Sequence, residues 1–349
     1  MLGIGQAGAY ATTASYLRRW MPFSTRGFAN SAVSLGGRAG GVLAPSLTSL
    51  GMSLVAFWGV SAGRWRPVFI GYGIVGLVWA WFFWRWFRDN PREHPSANPA
   101  EAALIEGPSA ASVVERDDDK TDEKSVRNHF GELAPPTLSV RALVSHRGLQ
   151  VLGVVSFAIN VGWIFVGTLL PTYLINVHGQ SEIEAGFATS LVAFAGMAGC
   201  LAGGFATDIL VRRLGLAWGR RVPAMIAYGG AAVCYGFCYF LDDPRAIVTI
   251  LVVASFMGDF GLGTIWCTFQ DIGGVFAGTV LGAANMCGNF GAASASSFVP
   301  RLAEQFGWSA SFALSAAAYT IGAFGWLLVD PRVPIAVSSS QTSSEATAR

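Results

Sequence analysis

Apolar residues run along this chain in long blocks with little polar interruption, roughly at 2–18, 28–57, 66–87, 149–177, 184–211, 222–241, 245–268, 273–299 and 308–329. Most are long enough to cross a hydrocarbon core about 30 Å thick at about 1.5 Å per residue. Strands of a transmembrane barrel would be about half as long and would alternate apolar with polar positions, which these blocks do not. The pattern predicts an all-α polytopic membrane protein, a helical bundle of about nine transmembrane helices.

The pattern stops at residues 89–148, a polar, Pro-containing stretch centred on ERDDDKTDEK that reads as a largely disordered linker. Inside it, Asn98 is placed to cap a short helix, with Pro99 at the first helical position and Glu101 three residues after the cap. The expected organisation is three helices in 1–88, the linker, six helices in 149–331, and a disordered tail in 332–349 that contains SSSQTSSEATAR.

Composition supports the membrane reading: 52% of the 349 residues are hydrophobic, 13% are charged and the mean hydropathy is +0.47. A soluble domain carries about 25% charge. The net charge of +2 says little, but the positions of the arginines say more. Arg18, Arg19 and Arg26 separate the first two blocks, Arg85, Arg88 and Arg92 follow the third, and Arg212, Arg213, Arg220 and Arg221 separate the fifth and sixth. The alternate connections hold only Arg64 with Arg66, then none, then Arg245, then Arg301. The positive-inside rule puts the arginine-rich loops, the linker and the C-terminus in the cytoplasm and the N-terminus outside. The expected location is the cell (inner) membrane, as an integral multi-pass protein.

MLGIGQ carries no charged leader and does not read as a secretory signal peptide. Many secondary transporters have two six-helix halves with the substrate site between them at mid-membrane. Set against that plan, three helices followed by six lead to the expectation that three helices are missing upstream.

The stretch GFATDILVRR, Gly204 to Arg213, resembles the Gly-x-x-x-Asp-x-x-x-Arg-Arg loop pattern of the major facilitator superfamily. Further stretches resemble its anion:cation symporter branch: GIGQAGAY, RRWMPFSTRGFA, GGRAGGVLAP, WRPVFIGYGIVGLVW, RDNPREHPSANPAEAALI, WIFVGTLLPTYLINVHG and WCTFQDIGGVFAGTVLGAANMCGNFGAA. The resemblance covers nearly all of the chain except the acidic linker and tail, and implies a major facilitator-like bundle whose first block is the fourth of twelve helices. It implies secondary transport of a small organic anion, a sugar acid or other carboxylate, coupled to a proton or another cation and working by alternating access. The rival reading is a non-transporting fragment, or a transporter-derived membrane sensor or scaffold.

Arg38 lies about 16 Å beyond the cytoplasmic border of its helix, near the middle of the bilayer. A guanidinium there costs at least about 2.5–3.5 kcal/mol and must face a cavity or a partner. Its planar donors suit a carboxylate, whether a substrate's, an internal acid's or that of a structural ion pair. Asp259 is the natural counterpart, about 18 Å from either end of its own helix. It is a candidate proton carrier, because burial and a nearby arginine act on its protonation in opposite directions. A fixed structural pair is the competing reading.

Trp266 and Gln270 fall on the helix face of Asp259. Asn285, which the resemblance puts in the substrate cavity, is four residues before Asn289, expected to bond between helices. Asn160, Trp163 and Thr168 offer polar or aromatic cavity contacts. Gln6, Tyr10 and Thr13 share a face expected to turn toward the cavity, the competing reading being that Gln6 only hydrogen-bonds a neighbouring helix. At the position of Gln6 the family often holds a proton-carrying glutamate; the amide cannot titrate, which shifts that role to Asp259. The resemblance implies that Asp208, Arg212 and Arg213 form a charge cluster that locks one conformation.

Small residues at Gly36, Gly37, Gly40 and Gly41, and at Gly196, Cys200 and Gly204, are expected to allow close helix packing. The five cysteines lie within apolar blocks, and the histidines, His94, His129, His146 and His178, lie in loops or near helix ends without zinc spacing. No phosphate-binding loop or nucleophile elbow is present. An enzyme, a metal site, a cofactor and a nucleic-acid partner are not expected, and the bilayer itself is.

Overall fold

The computed structural model describes residues 8–22, 25–57, 65–89, 91–106 and 138–335. Among them there are helices and no strands. The first three apolar blocks form α1 (Ala9–Trp20), α2 (Arg26–Phe57) and α3 (Trp65–Trp86). The short linker helix is α4 (Pro99–Glu106), and the Asn98 side chain accepts the Glu101 N–H at 2.7 Å, the cap expected from the sequence. The centre of the linker, 107–137, and the tail, 336–349, lie outside the described residues.

The chain resumes with a short α5 (Val140–Ser145), which ends beside α6 (Arg147–Ile164). α6 passes through one π turn, Phe165–Leu169, into α7 (Leu170–His178). Pro171 has no N–H to return to that turn, which favours the wide winding behind it. α7 ends on Gly179 in the left-handed region, φ 63°, and a capping box between Ser181 and Glu184 starts α8 (Glu182–Cys238).

At 57 residues α8 would extend about 86 Å, far more than one crossing needs. It contains the fifth and sixth blocks, and its break is Gly215, where φ 75° and ψ 174° are non-helical. The rest of the chain forms α9 (Pro244–Phe260), α10 (Leu262–Gly273), α11 (Ala277–Phe306) and α12 (Trp308–Gly325).

Five stretches are long and apolar enough to cross a membrane by length and composition: Trp65–Trp86, Arg147–His178, Glu182–Cys238, Pro244–Gly273 and Trp308–Leu328. α2 and α11 are long enough, at 32 and 30 residues, but are diluted by Gly, Ser and Asn. Some of those residues, Asn30 and Ser31 in α2 and Gly288 and Gly291 in α11, are where other helices come close.

The tightest packing joins α8 to α9. A Cβ on Gly199 or Gly203 would run into the main chain of Phe256 or Phe260, and one on Gly196 would meet the Asp259 carboxylate. Gly204 likewise leaves room for Ser31 and the Gly27 carbonyl. The expectation for Gly196 and Gly204 therefore matches close approach; α2 is different. Gly36, Gly40 and Gly41 have nothing within 4 Å of a built Cβ, and Gly37 meets only the Tyr10 hydroxyl. This glycine-rich face is open among the described residues. α3 buries none of its residues.

The arginine-bearing ends gather at one end of the bundle. Arg26 donates to the Arg18 carbonyl (3.0 Å), Trp20 to the Arg88 carbonyl (3.1 Å), and Arg221 to the Val329 carbonyl (2.7 Å).

Candidate transport site

The two midplane charges meet. Arg38 grips Asp259 with both terminal nitrogens, Nη2 to Oδ1 at 2.6 Å and Nη1 to Oδ2 at 2.5 Å, across 221 residues of sequence. The carboxylate is almost closed off, 5% exposed, whereas the guanidinium side chain is 25% exposed. The bare backbone at Gly196 allows this, since any side chain there would displace the acid.

Arg38 and Asp259 form one wall of a cavity of ≈ 200 Å³. Asn160 and Trp163 from α6, Gly258 and Leu262 at the α9–α10 junction, and Tyr319 from α12 line the rest with Ile159. Gly258 leaves space for the Tyr319 hydroxyl, which lies 2.9 Å from where a Cβ would be. A second recess of ≈ 60 Å³ shares Asn160 and adds Tyr10, Trp266 and Asn285. Tyr10 and Trp266 meet edge to face, with ring centroids 5.0 Å apart.

The structure thus brings Arg38, Asp259, Asn160, Tyr10, Trp266 and Asn285 around two adjoining spaces. Asn160, which lines both spaces, donates to the Ser156 carbonyl at 2.8 Å. Gln6 lies outside the described residues. Two expectations shift. Asn289 is exposed and makes no interhelical hydrogen bond among the described residues, and Thr168 lines neither space.

Asp208 meets an unexpected partner. Its carboxylate accepts the Gly27 N–H on Oδ1 and the Phe28 N–H on Oδ2, both at 2.9 Å, and so caps the N-terminus of α2. Arg212 reaches only the main-chain oxygen of Asp208, at 3.3 Å, and Arg213 is exposed. The anticipated side-chain cluster is thus a carboxylate on a helix end, because that end offers unsatisfied N–H groups in a dry contact.

Two buried groupings escaped the sequence reading. Gln270 and Asn30 exchange amide hydrogen bonds, Nε2 to Oδ1 at 2.9 Å and Nδ2 to Oε1 at 3.3 Å, with both side chains fully buried. Arg220, one of the supposed loop arginines, is fully buried and donates to Asp271 at 3.0 Å. The shared helix face of Asp259, Trp266 and Gln270 was a usable signal for the first, since all three touch α1 or α2. Nothing in the local sequence separates Arg220 from its neighbour Arg221.

A cavity between apolar helices, with a salt-bridged arginine on its wall, fits a polytopic helical membrane protein of the transporter class. The profile of the Major Facilitator Superfamily matches residues 1–296, and the chain belongs to that superfamily. It is therefore a member of a transporter family and not an enzyme.

The chain is 28% identical to a probable galactarate/D-glucarate transporter of Bacillus subtilis, over 78% of this chain and 55% of that protein. It is 26% identical to a probable sulfoacetate transporter of Cupriavidus necator, over 96% and 72% of the two chains. It is also 26% identical to a D-galactonate transporter of Escherichia coli, over 94% and 72%. The chain spans little more than half the length of the first of these relatives.

Proposed function

We propose that this protein moves a small organic anion, a sugar acid or other carboxylate, across the cell (inner) membrane by alternating access, coupled to a proton. The observation that carries the reading is the two-pronged Arg38–Asp259 pair on a cavity wall. Three relatives named for anions, two for sugar acids and one for a sulfonate-bearing acid, support the substrate class.

An anionic substrate and the Asp259 carboxylate compete for one guanidinium. A proton on Asp259 removes its charge and frees Arg38, whose planar donors then take the substrate's carboxylate. One proton and one negative charge enter together, so the dry cavity keeps its net charge. Release reverses the exchange and re-forms the pair. Asn285, Asn160, Tyr10 and Trp266 bound the space left for the rest of the substrate.

The halves on either side of the linker rock about this site. Asp208 on the α2 N-terminus, with Arg212 and Arg213 nearby, clasps the arginine-rich end, which faces the cytoplasm together with the C-terminus. The open face of α2 beyond Arg38 belongs to the opposite side.

Asp259→Asn in proteoliposomes tests the coupling. The amide mimics the protonated acid, so substrate counterflow is expected to persist while accumulation driven by a pH gradient is lost. Full proton-driven accumulation by the variant would sink the assignment.

A further inference from the structure

Trp163 lines the cavity that the ion pair also walls, and the way it is held is unusual. Helical side chains lean toward the N-terminal end of their helix. The Trp163 indole instead lies over residue 167, one turn ahead, where a Cβ would collide with its six-membered ring. Two features make that pose possible: Gly167 has no side chain, and Phe165–Leu169 is the one π turn among the described residues. The residue is 36% exposed and lines a space that also holds a guanidinium, a phenol and an amide.

We propose that Trp163, propped over Gly167 by the π turn, is the face against which the carbon chain of the transported anion packs. It selects polyhydroxylated carboxylates over short ones. This rests on the anion-transport reading above.

The chemistry follows from the wall. Once Arg38 holds a carboxylate, the remaining space must take a chain that is apolar on its C–H edges and polar at its hydroxyls. C–H groups next to oxygen carry partial positive charge, and the negative face of an aromatic ring attracts them while shielding them from water. Asn160, three residues before Trp163, and the Tyr319 hydroxyl supply hydrogen bonds beside that face. A two-carbon acid held on Arg38 has a single carbon beyond its carboxylate and so little C–H surface to offer the ring.

The test is D-galactonate counterflow in proteoliposomes holding the full chain, with glycolate as the short competitor. Trp163→Ala should raise the KM for D-galactonate by about tenfold, the loss expected for one buried aromatic contact. Its kcat and the inhibition constant of glycolate should stay unchanged. Trp163→Phe should restore most of the affinity, and Gly167→Val, which displaces the ring, should reproduce the alanine variant. Equal weakening of both acids, or no change in either, overturns the role of Trp163 and leaves the Arg38 assignment standing. A wild-type protein that exchanges neither D-galactonate nor any other carboxylate of a broad panel overturns the transport reading, and this inference with it.

Discussion

At the scale of single residues, two ion pairs, Arg38–Asp259 and Arg220–Asp271, hold charges inside the bundle. Arg220 and Asp271 are the clearer structural case, with side chains 0% and 3% exposed and neither residue lining the cavity or the recess described above. Removing one partner of a buried pair leaves a charge in a dry place and costs about 3–5 kcal/mol, whereas replacing both with apolar groups is often neutral. Asp271→Ala should therefore lower the thermal unfolding midpoint in detergent sharply, and Arg220→Met with Asp271→Leu should recover most of it. A double variant as unstable as the single one would show that Arg220 holds the fold through contacts other than this ion pair. Arg38 and Asp259 differ because one partner is a quarter exposed and both edge a cavity, which leaves that pair free to exchange partners.

At the scale of elements, helix ends and irregular turns carry the specific contacts. The first turn of α2 has N–H groups that no residue of its own helix can satisfy. Asp208, 181 and 180 residues further along, takes two of them. Asp208→Ala should cost about 1–2 kcal/mol, the upper range for a charged group on a helix N-terminus, and Asp208→Asn less than that. The same α2 terminus makes the contact depend on bare backbone, since a Cβ on Gly27 would crowd the Asp208 carboxylate. Unfolding of the two variants in detergent checks the order; equal stability of Asp208→Ala and wild type would contradict the capping role. The π turn after α6 is the other irregular element, and its Gly167 lies against the ring of Trp163, which lines the cavity with the ion pair.

At the scale of the whole molecule, α2 meets α8, α9 and α10 along one stripe, made by Gly27, the pair Asn30 and Ser31, Ser34 and Arg38 at helical spacing. Going from the arginine-rich end inward, the stripe meets Asp208, then Gln270, then Asp259. If the proposed rocking opens this end, the Asn30–Gln270 exchange must break. Cys267 reports on it, because its sulfur lies 3.3 Å from the same Asn30 amide and is fully buried. Gln270→Leu removes the exchange, worth about 1 kcal/mol, so modification of Cys267 by N-ethylmaleimide should speed up about fivefold. Mass spectrometry of the Cys267 peptide measures the rate, and an unchanged rate would mean that the amide pair does not hold this end shut.

The sequence by itself determined the helical membrane class, the approximate extent of the apolar blocks, the Asn98 cap and the need for Arg38 and Asp259 to have company. These follow from local physics: hydrocarbon thickness sets block length, and a midplane charge is too costly to stand alone. Only the tertiary structure decided who the partners are. Periodicity says which face a residue lies on but not which distant helix that face meets, so Asp208 could be read as polar without its helix end being known. For the same reason Arg220 looked like one more loop arginine, and the glycines of α2 looked like packing surfaces until their neighbours, or the open space around them, were seen.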